Sequence, residues 1–299
     1  MIKNTGDSNR ITRDYFDSIL LEERLIDAEK ADTEYELYGK TFKTPVMTAA
    51  LSHLENVYPN GMAEMAKGAL DAGAVAWCGM GDDKTLESMI ATGASVIKIV
   101  KPYAENEKVI GKLKKAEELG AFAVGMDIDH AFSRDGEYDV VLGEAMKPKT
   151  LQEMKNFVEA TALPFIVKGV LSVRDALKCL EIGVSGIVVS HHHGAMDYAV
   201  PPLRILPEIV KAVGGKLLIF VDCGVESGMD AYKCLALGAD AVSAGRIIMG
   251  PLEEKGAKGV EESLTSITAQ LKSAMAKTGM RTINDIDSSV LWTLNGRYE

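Results

Sequence analysis

Apolar residues fall in eight short blocks of four to six, and the stretches between them repeat at helical spacing. The blocks, at 44–49, 74–78, 95–100, 122–127, 164–168, 186–189, 217–222 and 241–244, predict strands. Helices are expected at 61–72, 84–92, 105–119, 150–160, 173–182, 203–213 and 228–237. Ser172 is placed to cap the fifth of these and Gly183 to end it. Strands that alternate with helices imply parallel pairing, because each strand must return by a crossover. Eight strands in 299 residues favour a closed (β/α)8 barrel (a TIM barrel) over an open doubly wound sheet. The α/β barrel should span 41–299, mostly helical beyond Leu252, behind an amino-terminal helical extension at 1–40 with its helix at 14–25. No linker or low-complexity segment divides the chain, so a single domain is expected.

Composition narrows the setting. Hydrophobic residues make up 47% and charged residues 25%, the balance of a globular protein with a sizeable core. A net charge of −10 argues against nucleic acid or an anionic membrane as partner, since both attract basic surfaces. No apolar run approaches the roughly 20 residues of a membrane helix, and the amino terminus lacks a signal-peptide core. Cys78, Cys179, Cys223 and Cys234 form no CxxC pair, which suits reduced thiols. A cytoplasmic protein with a small-molecule substrate, forming a homo-oligomer, is the expectation.

The chemistry gathers where strands end. Three of the five histidines stand together in Ser190-His191-His192-His193-Gly194, directly after a strand. Imidazole takes up a proton near neutral pH, so the cluster suits general base work or metal ligation. Successive strand residues point to opposite faces, so at most two can look into one site. The other strand ends supply Ala49, Ala50, Cys78, Lys98, Asp127 with Asp129, Lys168, Asp222 and Gly245-Arg246. A barrel gathers these at one mouth, where buried charges need a ligand or one another. The glycine turns at Asp222-Cys223-Gly224 and Ala244-Gly245-Arg246 fall where many barrels hold a phosphate.

At this level of detail the chain resembles the FMN-dependent α-hydroxy acid oxidase and dehydrogenase family. The resemblance rests on Val167-Lys168-Gly169-Val170, Gly186-Ile187-Val188-Val189-Ser190, Leu206-Pro207-Glu208-Ile209-Val210 and Leu235-Ala236-Leu237-Gly238-Ala239. It is strongest over 163–250 and thinner back to Ile11. It implies a (β/α)8 barrel, FMN as cofactor and oxidation of 2-hydroxy acids. His192 matches the family's catalytic histidine, Asp127 the aspartate that orients it, and Lys168 the lysine at the flavin N1–O2 edge. Arg134 matches a substrate-side arginine. His191, His193 and Lys98 are further candidates for substrate contact. Ala49, Ala50, Cys78, Lys98, Lys168, Ser190, Asp222, Gly224, Gly245 and Arg246 are the implied cofactor contacts, and no metal is implied.

The chain also departs from the family pattern. Ala195 stands where the family motif carries an arginine that grips the substrate carboxylate. Lys98 and Val100 replace a glutamine and a tyrosine, and Glu226 replaces a second phosphate-side arginine. Losing a bidentate arginine removes a strong recognition element, so a changed substrate is expected. The main alternative is a lyase or isomerase using Lys98 or Lys168 as a Schiff-base nucleophile.

Overall fold

The computed structural model describes residues 5–298. Its centre is a parallel barrel of β1 (Val46–Thr48), β2 (Ala76–Cys78), β3 (Val96–Val100), β4 (Ala123–Asp127), β5 (Phe165–Val170), β6 (Gly186–Val189), β7 (Leu218–Val221) and β8 (Ala241–Ala244). From β2 to β8 each strand pairs with its neighbour in sequence, and β8 returns to β1. Closure between β1 and β2 runs through the Thr48 N–H to the Val75 carbonyl and the parallel bridge Leu51–Cys78. The expected barrel is therefore the observed one.

Two apolar layers follow from the strand period. Met47, Trp77, Ile97, Ile99, Ile166, Val188 and Phe220 point inward and fill the barrel. Their neighbours, among them Val46, Val96, Val124 and Val242, face the surrounding helices. Trp77 and Phe220 meet edge to face at 5.4 Å across the interior, a preferred geometry for aromatic quadrupoles. The helices start where their caps predict. Thr150 and Glu153 form a capping box at Leu151–Glu159, and Ser172 accepts the Asp175 N–H before Val173–Glu181.

The amino-terminal segment differs from expectation. Its helix is Ser8–Asp17, not 14–25, because Asp7 caps it by accepting the Asn9 N–H. Ser8, Thr12 and Phe16, spaced four apart, form its buried face. Ile19–Leu21 is then a strand paired antiparallel with Leu291–Thr293, so the two ends of the chain meet. Residues Tyr35–Leu37 and Lys40–Phe42 form a hairpin. The Tyr38 and Phe42 rings pack on Phe122, beside the amino end of β4 and so at the closed end of the barrel.

Candidate active site

The mouth is organised by the register of β4, β5 and β6. Lys168 lies opposite Asp127 on one side and Val188 on the other. Just past Lys168 the register shifts at Gly169, which has φ +93°. A Cβ there would lie 2.4 Å from the Asp129 carboxylate, so only glycine lets Asp129 close in on β5.

The three histidines separate as the strand gives way to loop. His191 is buried and turned toward the amino-terminal helix. Its Nδ1 accepts the Gly194 N–H at 3.0 Å, so its Nε2–H donates to Thr12 Oγ1 at 2.8 Å. His193 Nδ1 meets Asn9 Oδ1 at 2.8 Å, and its carbonyl accepts from Asn9 Nδ2. Both are anchored to that helix, so neither faces the centre of the mouth. His192 and His193 have φ of +46° and +56°, a strained pair of left-handed residues. That turn sets the His192 ring apart, over the carboxylates.

His192 Nδ1 donates to Asp129 Oδ1 at 2.6 Å, with Asp127 Oδ2 farther off at 3.4 Å. The orienting carboxylate expected from the sequence is Asp127; the nearer one is Asp129. Asp127 is instead paired with the Lys101 ammonium at 2.7 Å. Lys168 lies 3.4 Å from His192 Nδ1, from Ser190 Oγ and from Asp222 Oδ2. On the other edge of the ring, His192 Nε2 is 2.9 Å from His130 Nε2.

Charge is distributed accordingly. Burial and Lys168 disfavour the His192 imidazolium, but Asp127 and Asp129 outweigh them and raise it to about 9. Burial opposes charge on Asp127, yet its bond from Asp129 with the Lys168 and His192 charges holds it well below the usual range. Asp129 takes the opposite course: burial and the Asp127 charge push it up to about 7. Despite burial, Asp222, Asp129 and Asp127 raise Lys168, so it stays an ammonium. A charged lysine is a poor Schiff-base nucleophile. Lys98 is no better placed, being buried with its Nζ donating to the Gly79 carbonyl.

Two cavities flank this network. One, of about 390 Å³, is lined by Ala49, Ala50, Lys168, His192, Asp222, Gly224, Gly245 and Arg246, all expected at the mouth. His193 and Glu226 also line it, as does Ser243, which the sequence does not single out. The residues fit FMN. At Gly245 an added Cβ would meet only Ala49, at 3.4 Å, so the turn leaves a cradle a side chain would fill. Lys168 offers a buried cation, Asp222 a carboxylate for hydroxyl groups and Arg246 an exposed guanidinium for a phosphate. Cys78 and Lys98 line neither of the two cavities; each is drawn into the wall, where Lys98 Nζ lies 3.4 Å from Cys78 Sγ. The other cavity, of about 460 Å³, is bounded by Asp129, Ser190, Arg134, Phe132, Leu171 and Met196, with Ala195 among the lining. Arg134 is exposed there and His191 contributes to the wall.

Sequence reasoning passed over Lys101, His130, Asp139, Thr12 and Asn9. Thr12 and Asn9 reach the site only through tertiary packing of the amino-terminal helix. Arg13, on the same helix, grips Asp230 through both nitrogens and donates to the Gly224 carbonyl, tying the helix to the turn after β7.

The model of the FMN-dependent dehydrogenase family matches residues 2–156 and 139–293. A peroxisomal (S)-2-hydroxyacid oxidase of Arabidopsis thaliana is 28% identical over 91% of this chain and 84% of its own. 2-Hydroxyacid oxidase 2 of Homo sapiens is 28% identical, covering 96% and 91%. A solved mandelate oxidase variant carrying a C4a-OH-FMN adduct superposes with a TM-score of 0.86 at 27% identity, over 94% of this chain and 90% of that one. No helix among the described residues is long and apolar enough to cross a membrane.

Proposed function

Because this chain belongs to the FMN-dependent dehydrogenase family, we propose that it oxidises a hydroxylated small molecule, His192 serving as the base. The protein is an FMN-dependent oxidoreductase, and FMN, when bound, supplies the hydride acceptor. The observation that carries the residue assignment is the His192–Asp129 pair standing between the two cavities, beside Lys168.

In this reading Ala49, Ala50, Lys168, Asp222, Gly224, Gly245 and Arg246 hold the cofactor. His192 Nε2 takes the proton of the substrate hydroxyl. Asp129 and Asp127 steady the imidazolium so formed, as the buried aspartate does in a serine-protease triad. Lys168 keeps a fixed positive charge at the floor of the site. The larger cavity takes the substrate, with Arg134 as its exposed cation and Ala195 in place of a second one. Phe132, Leu171 and Met196 line it with apolar surface, which favours a substrate with an apolar substituent beside the hydroxyl over glycolate or L-lactate.

Anaerobic bleaching of the FMN-loaded protein by glycolate, L-lactate and (S)-mandelate tests this. Mandelate should reduce the flavin fastest, and Arg134→Met should weaken its binding more than its maximal rate. Bleaching by glycolate at about 10⁴ M⁻¹s⁻¹ or above, an ordinary enzyme efficiency, would overturn the substrate assignment.

A further inference from the structure

His192 carries a second ring partner that the base role does not use. Its Nε2 lies 2.9 Å from His130 Nε2, and the two rings meet edge to face at 4.1 Å. His130 Nδ1 lies 3.2 Å from Asp139 Oδ2. These contacts fix the protons along the chain. Asp139 is a carboxylate acceptor, so His130 carries its proton on Nδ1 and presents a lone pair at Nε2. His192 Nδ1–H is spent on Asp129, so the proton between the two rings sits on His192 Nε2. The result is one directed line, Asp129, His192, His130, Asp139, running out to a partly exposed carboxylate.

The surrounding charges favour this polarity. Asp127 and Asp129 from the end of β4 face His192, with Lys168 from β5 and Asp222 behind it. Lys101, paired to Asp127, and His192 itself oppose charge on His130, which burial also keeps neutral. His192 thus holds a proton that it must lose before it can act as a base again.

We propose that His130 is the proton outlet of His192, an inference that rests on the base role assigned above. Between turnovers the His192 Nε2–H bond breaks as a His130 Nε2–H bond forms. The His130 Nδ1–H proton passes to Asp139 and from there to water. While substrate holds His130 away from His192, the His130 Nε2–H proton goes to solvent water and Nδ1 takes one back through Asp139, which restores the resting tautomer with His192 still neutral. The substrate hydroxyl needs the same lone pair of His192, so it displaces His130 on entry and His130 returns when product leaves. The hairpin that holds Asp139, with Val140–Val141 paired to Glu144–Ala145, fixes the far end of the line.

The first measurement needs no substrate. Long-range ¹⁵N–¹H spectra of the holoprotein should show His130 as the Nδ1–H tautomer, the less common form of free imidazole. Asp139→Asn should return it to the Nε2–H form. An Nε2–H His130 in the unaltered protein overturns the proposal, because no lone pair then faces His192. The second measurement uses the FMN-loaded His130→Ala protein with (S)-mandelate. In dilute buffer turnover should fall on the order of 10²-fold, the scale of a positioned proton carrier, and added imidazole should restore it. A merely structural histidine gives a loss that imidazole does not repair, and unchanged turnover at every buffer concentration is equally fatal. Protein that takes up no FMN, or that mandelate never bleaches, fails the functional reading instead. The tautomer measurement then still decides the relay.

Discussion

The two cavities share the His192 network as a common wall but are lined in different ways. The cofactor-side cavity is built from the ends of β1, β5, β7 and β8 and the short turns that follow them. The substrate-side cavity takes much of its wall from loops, Phe132 to Arg134 on one side and Ala195 to Ala199 on the other. Strand ends are held by barrel pairing, so the groups they carry are fixed with the fold. Loops vary without disturbing that pairing, and this is where recognition changes. Most residues that match the family pattern are on the first side, while Arg134 and Ser190 are on the second. The departures split: Ala195 is on the second, while Glu226 is a loop residue at the edge of the first.

If the shared wall is the chemical centre, substitutions there should outweigh any in either cavity. His192→Ala should slow flavin reduction by about 10²–10⁴-fold, the usual cost of losing a positioned base. Asp129→Asn should approach that loss, and the double variant should lose far less than the product of the two. The rate in the unaltered protein should rise toward pH 9, since only neutral His192 accepts a proton and its imidazolium persists to about 9. Stability should move the other way. A histidine raised in the folded state stabilises fully below its unfolded value of about 6.5, and that contribution is lost as pH rises from there toward 9. Stopped-flow reduction and denaturant midpoints across pH 6–10 check both. A rate flat over this range would remove His192 from the proton step.

Arg246 tests the cofactor side at a smaller scale. Charge-assisted bonds contribute about 1.5–3 kcal/mol, so Arg246→Ala should weaken FMN binding by roughly 10- to 100-fold. Once the cofactor site is saturated, the variant's reduction rate by mandelate should be nearly unchanged. A large fall in rate with tight FMN would mean that Arg246 reaches the substrate.

The same division governs what could be read from the sequence. Strand ends were legible because most apolar blocks end at, or lead within two residues into, an ionisable or glycine residue, and the barrel brings those ends together. Asp127, Lys168, Asp222 and Arg246 were found that way. That Asp129 approaches His192 more closely than Asp127 was not legible, because it depends on the bulge at Gly169 and on Lys101 pairing with Asp127. Nor was the fate of His191 and His193, which is set by contacts to Thr12 and Asn9 that span some 180 residues. The hairpin at the closed end did leave a trace. Tyr38 and Gly39 both adopt positive φ between short alternating strands, the two-residue turn that glycine favours. A helical reading of the extension passed over it.

The smallest expected effect bears on the one departure that sits on the family-like side. Glu226 is exposed and lines the cofactor cavity together with Arg246. Its carboxylate lowers the positive potential that an incoming phosphate meets, but water and salt screen an exposed charge. Glu226→Gln should therefore tighten FMN binding by only about 2- to 5-fold in dilute buffer. Glu226→Arg, which restores the charge of the family pattern, should tighten it further. At about 1 M salt the Debye length shrinks to roughly 3 Å, and both gains should vanish. Quenching of flavin fluorescence on titration at two ionic strengths reads the effect directly. A gain that survives high salt would point to removal of a steric or hydrogen-bonded obstacle. Looser binding in Glu226→Gln would make the carboxylate a cofactor contact, and the cofactor side would then have diverged as the substrate side has.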